Sequence, residues 1–110
     1  MSNQLEEIVE IIKENIKRKG RTVILQKYIT NPLLIKRRKF DIRTYCLITA
    51  INGVAYGFHY EEGYLRTSCT EFKNQDFSNK FMHLTNDAIQ KNAPDYGKYE
   101  YGNKLSYADF

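Results

Sequence analysis

The sequence contains no tryptophan, only two cysteines and two prolines, and no long apolar run. No stretch reaches the roughly 18 apolar residues that a membrane-spanning helix needs, so we expect a soluble protein with no membrane partner. Cys46 and Cys69 stand singly, without the paired spacing of a secretory disulfide framework, which favours a reduced, cytosolic setting. Neither Ser68 nor Ser106 lies in a nucleophile-elbow motif, so a hydrolytic triad has no support.

Two kinds of ligand site are also missing from the pattern. The six glycines fall at turns and form no Gly-rich phosphate loop. His59 and His83 are as isolated along the chain as the two cysteines, so structural roles are favoured over zinc binding for all four. The sequence therefore assigns no metal ligand.

The residues that are present describe one small domain with a basic first half. A chain of 110 residues with 42% hydrophobic content is long enough for a single modest core. Residues 1–43 hold eleven Lys or Arg against five Asp or Glu. The whole chain has a net charge of +4, so the positive charge is concentrated in this part. This asymmetry predicts an anionic partner for the first half.

The order of elements predicts an α+β fold. Residues 2–20 carry apolar side chains at helical spacing, with Asn3 as a start signal and Gly20 as a stop signal. The segment "RTVILQKYI", residues 21–29, predicts a buried strand, and residues 38–51 predict a second one. Turns at Asn52-Gly53 and at Glu61-Glu62-Gly63 predict two further strands in an antiparallel meander, followed by a loop-rich tail. We expect the helix to pack on this sheet.

One strand face carries three ionisable side chains. In an extended chain Lys39, Asp41 and Arg43 share a face, and Arg66 on a neighbouring strand extends it. Such a face is a floor for phosphate or carboxylate, or else a ladder of exposed ion pairs, and pattern alone favours the ladder. The run "KRRK", residues 36–39, has two interpretations, a nucleic-acid contact or a solvated loop. No sequence pattern of a nucleic-acid-binding module accompanies it, so nucleic-acid binding is the weaker one.

A polar pair in the tail has two readings as well. Thr85 and Asn86, in "HLTNDAIQK", are suited to hold a carboxylate or phosphate oxygen. They are equally suited to cap the helical turn that follows, and capping alone is favoured by pattern.

Five strings together resemble the tubulin–tyrosine ligase family, whose members join amino acids to tubulin on an ATP-grasp fold. They are "QKYITNPLLI", "RKFDIRTY", "EGYLRTS", "HLTNDAIQK" and "DYGKYEYGN", in this order. The resemblance covers about residues 23–110, and "YGKYEYGN" is nearest to the tyrosine ligase itself. It implies that residues 1–110 form a single, partial domain of this kind, an ATP-grasp-like fragment.

The resemblance also implies roles for individual residues. Gln26, Lys27, Tyr28 and Ile29 match the hinge that holds adenine, and Lys39 and Asp41 match the pair that borders the nucleotide. Arg43 and Arg66 match catalytic arginines that face the γ-phosphate and the acidic acceptor peptide. Thr85 and Asn86 match a polar pair near the reacting carboxylate.

The implied reaction is ATP-dependent ligation of Tyr or Glu to tubulin through an acyl phosphate. ATP and Mg²⁺ would be the cofactors, and the acidic tubulin tail and a free amino acid the partners. The resemblance implies a cytoplasmic, cytoskeletal location, with the cilium or basal body included. The alternatives are a non-catalytic module that holds acidic tubulin tails on its basic sheet face, and an inert relic.

Two departures from the family pattern accompany the resemblance. Arg37 stands where the family usually has glycine, which bears on the geometry of the turn before the "KFD" strand. The family's phosphate-covering Lys and Gly segment and its magnesium ligands, an Asp followed by a Glu and Asn pair, have no match here. We therefore expect this chain to be catalytically incomplete.

Overall fold

The computed structural model describes residues 4–19, 22, 24–74 and 76–110, and in these ranges the fold is α+β, as predicted. One sheet of four antiparallel strands has the order β1-β2-β3-β4. The strands are β1 (Leu34–Ile35), β2 (Arg38–Ile51), β3 (Val54–Glu71) and β4 (Lys104–Ser106). The helices are α1 (Leu5–Lys19), α2 (Lys80–His83) and α3 (Asp87–Gln90), with a 3-10 turn at Tyr101–Asn103.

Helix α1 forms where the apolar spacing predicts it, with Glu6 and Glu7 in its first turn. The predicted boundary residues Asn3 and Gly20 lie outside the described residues. The expected packing of this helix on the sheet is wrong, because α1 makes little contact with any strand. Its Ile8 and Ile12 are half-buried along a cleft, while Leu5 stays 74% exposed.

The predicted strand over residues 21–29 is wrong for its described part. Residues 24–29 have no regular secondary structure, and Ile24, Leu25 and Ile29 are exposed. Arg21 and Val23 lie outside the described residues. An apolar segment becomes a strand only where a neighbouring strand pairs with it, and this segment instead lines the cleft beside α1.

Strands β2 and β3 form one long hairpin. The bounds of β2 are those predicted, and Asn52 and Gly53 make the turn with positive φ angles of 51° and 79°. Beyond Arg43 the two strands project as an arm, and its large apolar side chains are exposed, among them Leu47, Ile48 and Phe58. The buried part of the sheet therefore lies at the other end of the hairpin, around Leu65.

The turn before β2 splits the basic run. Lys36 and Arg37 form it with positive φ angles of 45° and 63°, a conformation that costs a non-glycine residue about 1–2 kcal/mol. The turn thus forms even though Arg37 replaces the family's glycine. Arg38 is buried and Lys39 faces the cleft, so "KRRK" does not form a single exposed basic patch.

The predicted turn at Glu61-Glu62-Gly63 is wrong, because these residues form a bulge inside β3. Arg43 pairs with Tyr64 and Tyr45 pairs with Tyr60, so three residues of β3 stand opposite one residue of β2. Gly63 lies against the Arg43 carbonyl and the Tyr107 hydroxyl, and a Cβ there would overlap both. The acidic and glycine residues that suggested a turn serve this bulge.

A second bulge, at residues 68–70, creates the polar core. Arg38 pairs with Glu71 and Phe40 with Thr67, so again three residues face one. Side chains satisfy the backbone groups around it: Gln90 Oε1 accepts from the Cys69 N–H at 3.0 Å, and Arg38 Nη1 donates to the Ser68 carbonyl at 2.9 Å. Asn103 Nδ2 donates to the Thr67 carbonyl at 3.1 Å.

A buried ion pair joins this bulge to the tail. Arg38 and Glu100 form a bidentate pair, and their side chains are 1% and 6% exposed. The Thr67 hydroxyl donates to the same carboxylate at 2.8 Å, and the Tyr99 ring lies 4.2 Å from the guanidinium carbon. The tail segment "YEYGN" is therefore anchored on the sheet by a charge pair and not by apolar burial.

No helix within the described residues is long and apolar enough to cross a membrane.

The first bulge makes a prediction about two glycines of the same strand. Gly63→Ala should lower the free energy of unfolding by about 1–3 kcal/mol, because the new methyl group meets backbone and ring atoms. Gly57→Ala should raise it by about 0.5 kcal/mol, since nothing lies near that position and alanine favours a strand more than glycine does. Urea unfolding followed by circular dichroism measures both, and equal effects at the two sites would contradict the close approach.

The buried ion pair makes a second prediction. Glu100→Gln should lower the free energy of unfolding by about 3 kcal/mol, because the Arg38 guanidinium loses its countercharge while it stays buried. The matched control is Asp95→Asn, which breaks an exposed pair with Lys98 and should cost less than about 1 kcal/mol. Urea unfolding at neutral pH compares the two variants, and a similar loss in both would contradict an anchoring role for Glu100.

Candidate functional site

A cleft of about 850 Å³ is lined by α1 and by the segment of residues 24–29. Its apolar walls come from Ile8, Ile11 and Ile12 of α1 and from Ile24, Leu25 and Ile29, and Gln26, Lys27 and Tyr28 also line it. Lys39 of β2 and Phe77, from the loop before α2, complete the lining. A cleft of this size with apolar walls and a few polar groups is typical of small-molecule sites.

Lys39 is held at the cleft by groups from two other segments. Its ammonium donates to the Tyr28 hydroxyl at 3.1 Å and to the His83 carbonyl at 3.3 Å, and it lies 4.5 Å from the centre of the Tyr28 ring. The structure therefore brings two residues of the predicted nucleotide set, Tyr28 and Lys39, into direct contact.

His83 lies beside Lys39 and Tyr28, and the sequence did not predict it as part of this site. It is 2% exposed, and its ring contacts the rings of Tyr28, Phe72 and Phe77, with the Phe77 ring stacked on it at 5.4 Å. The Tyr28 hydroxyl lies 2.7 Å from His83 Nδ1. Its isolation along the sequence indicated only a structural role, because the residues that it contacts come from distant segments.

Asp41 is the centre of a second group, on the same strand. Arg66, its partner in the ladder, donates to it with Nε at 2.9 Å and Nη2 at 2.7 Å, and Arg43 Nε lies 3.1 Å from the same carboxylate. The Arg66 side chain is 15% exposed and that of Arg43 46%. One carboxylate thus orients two guanidinium groups, one partly buried and the other open to solvent.

These neighbours lower the pKa of Asp41. Partial burial raises that pKa, but hydrogen bonds from Arg66 and Thr85 and the positive charges of Arg66 and Arg43 outweigh the effect. The carboxylate is therefore ionised over the whole neutral range.

Thr85 and Asn86, which the resemblance treats as a pair, have different surroundings in the structure. Thr85 helps to lower the pKa of Asp41 and so belongs with the arginine group. The Asn86 side chain accepts from the Ala88 N–H at 3.0 Å and caps α3, which is the alternative that pattern favoured.

Lys104 extends the arginine group and was not predicted. It pairs with Arg66 across β3 and β4, and its ammonium lies 5.9 Å from the centre of the Tyr64 ring. Strand β4 itself was not recognisable, because three residues between turns carry no strand pattern. We call Arg43, Arg66 and Lys104 the basic face.

Among the described residues no three His, Cys, Asp or Glu side chains come together in a way that could hold a metal ion. The Asp41 carboxylate is paired with two arginines.

Comparison with known proteins identifies relatives of this chain. The model of the tubulin-tyrosine ligase family matches residues 1–109. Tubulin glycylase 3D of Tetrahymena thermophila is 45% identical over 84% of the chain. The probable tubulin polyglutamylase TTLL9 of Bos taurus is 41% identical over 66% of the chain, and the tubulin polyglutamylase TTLL5 of Mus musculus is 37% identical over 76%.

The chain spans a small part of these relatives. The matched regions make up 9% of the glycylase, 16% of TTLL9 and 7% of TTLL5.

The lowered pKa of Asp41 makes a prediction about acid stability. Because its pKa is lower in the folded than in the unfolded chain, its contribution is complete above the ordinary value of 3.8 and is lost as the pH falls through the lowered value. Asp41→Asn should lower stability at neutral pH and flatten the acid side of the stability profile. Urea unfolding from about pH 7 to about pH 2 measures this. Asp95→Asn is the control, and an unchanged acid slope in Asp41→Asn would contradict the assignment.

Proposed function

The chain belongs to the tubulin-tyrosine ligase family, and from this premise we propose that it is part of an ATP-dependent ligase that joins an amino acid to tubulin. The sequence led us to expect Tyr or Glu. Its relatives carry the names of glycylases and polyglutamylases, which supports glycine or glutamate as the amino acid. A tubulin ligase acts at the cytoskeleton, so we propose cytoplasmic microtubules, those of the cilium or basal body included, as its location.

The observation that carries the proposal is the placement of two different sites on one strand. Lys39 of β2 lines the apolar cleft, and Asp41, two residues further on, orients Arg43 and Arg66. A strand is rigid over two residues, so the cleft and the basic face keep a constant separation. A ligase needs this arrangement, since the phosphate of one substrate must meet the carboxylate of another.

The cleft fits an adenine nucleotide. Its apolar walls suit a purine ring, the backbone of residues 26–29 is free of strand pairing, and the Lys39 ammonium suits a phosphate. In this proposal Gln26, Lys27, Tyr28 and Ile29 hold adenine. Lys39 meets the phosphates, and Asp41 keeps the neighbouring arginines in place.

The basic face fits the acidic acceptor. ATP, when bound, supplies the phosphoryl group that converts an acceptor carboxylate into an acyl phosphate as ADP leaves, and attack by the amine, with loss of a proton, then expels phosphate. Negative charge therefore gathers on the transferring oxygens, and Arg43 and Arg66 are fixed cations that stabilise it with little reorganisation. Thr85, which helps to lower the pKa of Asp41, belongs to the same group.

The proposal assigns magnesium to no residue of this chain, because the described residues offer it no cluster of ligands. The basic face by itself also supports a second candidate function, a non-catalytic module. In that case the basic face would hold acidic tubulin tails without any nucleotide.

The proposal predicts that two variants affect two different ligands. Lys39→Ala should weaken ATP binding by about tenfold, the value of one contact to a charged group, and should leave microtubule binding unchanged. Arg43→Ala with Arg66→Ala should abolish co-sedimentation with microtubules and leave adenosine binding within about twofold, because these arginines face the γ-phosphate and the acceptor and not the adenine. Titration calorimetry with ATP and with adenosine, and microtubule co-sedimentation at low salt, measure the effects.

Lys98→Ala is the matched control, because it also removes one positive charge but lies at an exposed pair with Asp95. It should change neither measurement. No heat with ATP, together with microtubule binding that needs no nucleotide, would overturn the ligase and leave the binding module. Loss of both ligands in Lys39→Ala alone would contradict two separate sites.

A further inference from the structure

The position of the Lys39 ammonium depends on a chain of hydrogen bonds that ends at a buried histidine. Lys39 Nζ lies 3.1 Å from the Tyr28 hydroxyl, and that hydroxyl lies 2.7 Å from His83 Nδ1. On its other side His83 Nε2 contacts the backbone carbonyl of Asp76. These contacts join four parts of the chain: the segment of residues 24–29, β2, α2 and the loop before α2.

The carbonyl at the end of the chain determines the direction of every bond in it. A carbonyl oxygen only accepts, so His83 Nε2 carries the hydrogen. In a neutral ring Nδ1 then has the lone pair and accepts the Tyr28 hydroxyl hydrogen. The lone pairs of the Tyr28 oxygen are left for the Lys39 ammonium, which only donates.

A charged ring would break this order. His83 is 2% exposed, and the Lys39 ammonium already approaches it through Tyr28 and through the His83 carbonyl. In a charged ring Nδ1 would donate to the Tyr28 oxygen, and the hydroxyl hydrogen of Tyr28 would lose its acceptor.

We infer that His83 is a positioning residue, which holds the Lys39 ammonium at the cleft through the Tyr28 hydroxyl. Two of the three ammonium hydrogens are used by the Tyr28 and His83 oxygens, so one remains for a ligand in the cleft that Lys39 lines. Tyr28 therefore acts through its hydroxyl as well as its ring. The effect on nucleotide rests on the proposed function, whereas the hydrogen-bond chain does not.

The first test is the state of His83 in the ligand-free chain. Nitrogen-15 NMR of the imidazole at neutral pH should show a neutral ring with hydrogen on Nε2 and a lone pair on Nδ1. Hydrogen on Nδ1, or on both nitrogens, would overturn the inference. This result decides the matter even if the chain binds no nucleotide, an outcome that would sink the proposed nucleotide site instead.

The second test separates positioning from general support of the cleft. Tyr28→Phe keeps the ring that contacts Phe77, His83 and the Lys39 ammonium, and removes only the hydroxyl. It should weaken ATP binding by about fivefold to tenfold and leave adenosine binding within about twofold, because only ATP presents phosphates to Lys39. Equal weakening of both ligands, or no change in either, would overturn the inference.

Tyr60→Phe is the matched control, since Tyr60 is 61% exposed on the arm and lies outside the cleft. It should change the binding of neither ligand. Titration calorimetry on the 110-residue chain, with ATP and adenosine as the probes, gives all the values.

Discussion

The bulge at residues 68–70 is the constraint on which the rest of this structure depends. It withdraws backbone groups from the β2 and β3 ladder at the buried end of the sheet, where water does not replace the lost bonds. Arg38 and Gln90 satisfy those groups, and Arg38 in turn requires the carboxylate of Glu100. The short helices and the tail are thus arranged to supply polar atoms to one irregular stretch of strand. This explains why polar side chains outnumber apolar ones among the buried residues that the structure describes.

The same bulge has a consequence for the candidate site. It lies opposite Lys39, at the point where β2 passes from the buried Arg38 to the face that carries Asp41. Bulges commonly redirect a side chain beside a functional site, because the extra residues bend one strand relative to the other. Arg38 enters the core while its neighbour Lys39 reaches Tyr28 and the His83 carbonyl. A buried cation of the core and a cation of the candidate site are therefore adjacent in sequence, which an interpretation of "KRRK" as one charge run could not show.

The predictable part of the fold is the part that local pattern determines. The bounds of β2 follow from apolar alternation and from the Asn52-Gly53 turn, both contained in the hairpin itself. The residues Glu61-Glu62-Gly63 suit a bulge as well as a turn. The Tyr107 hydroxyl, far along the chain, lies against Gly63 and donates to the Arg43 carbonyl, and local sequence does not reveal this contact. Residues 24–29 were misread for a related reason. Their apolar, β-branched composition favours a strand, but a strand also needs a neighbouring strand to pair with. The sequence of the segment itself does not show whether such a neighbour is present.

The candidate site divides in the same way. Alternation along β2 was enough to place Lys39, Asp41 and Arg43 on one face, and the register of β3 then brings Arg66 to Asp41. His83 gave no comparable signal, because Tyr28 and Lys39 are 55 and 44 positions away from it. A histidine without nearby partners in sequence was reasonably assigned to structure, yet burial makes its hydrogen bonds directional, since each ring nitrogen must be satisfied by one particular group. A buried polar side chain that orders a charged neighbour therefore belongs to the site as much as to the core.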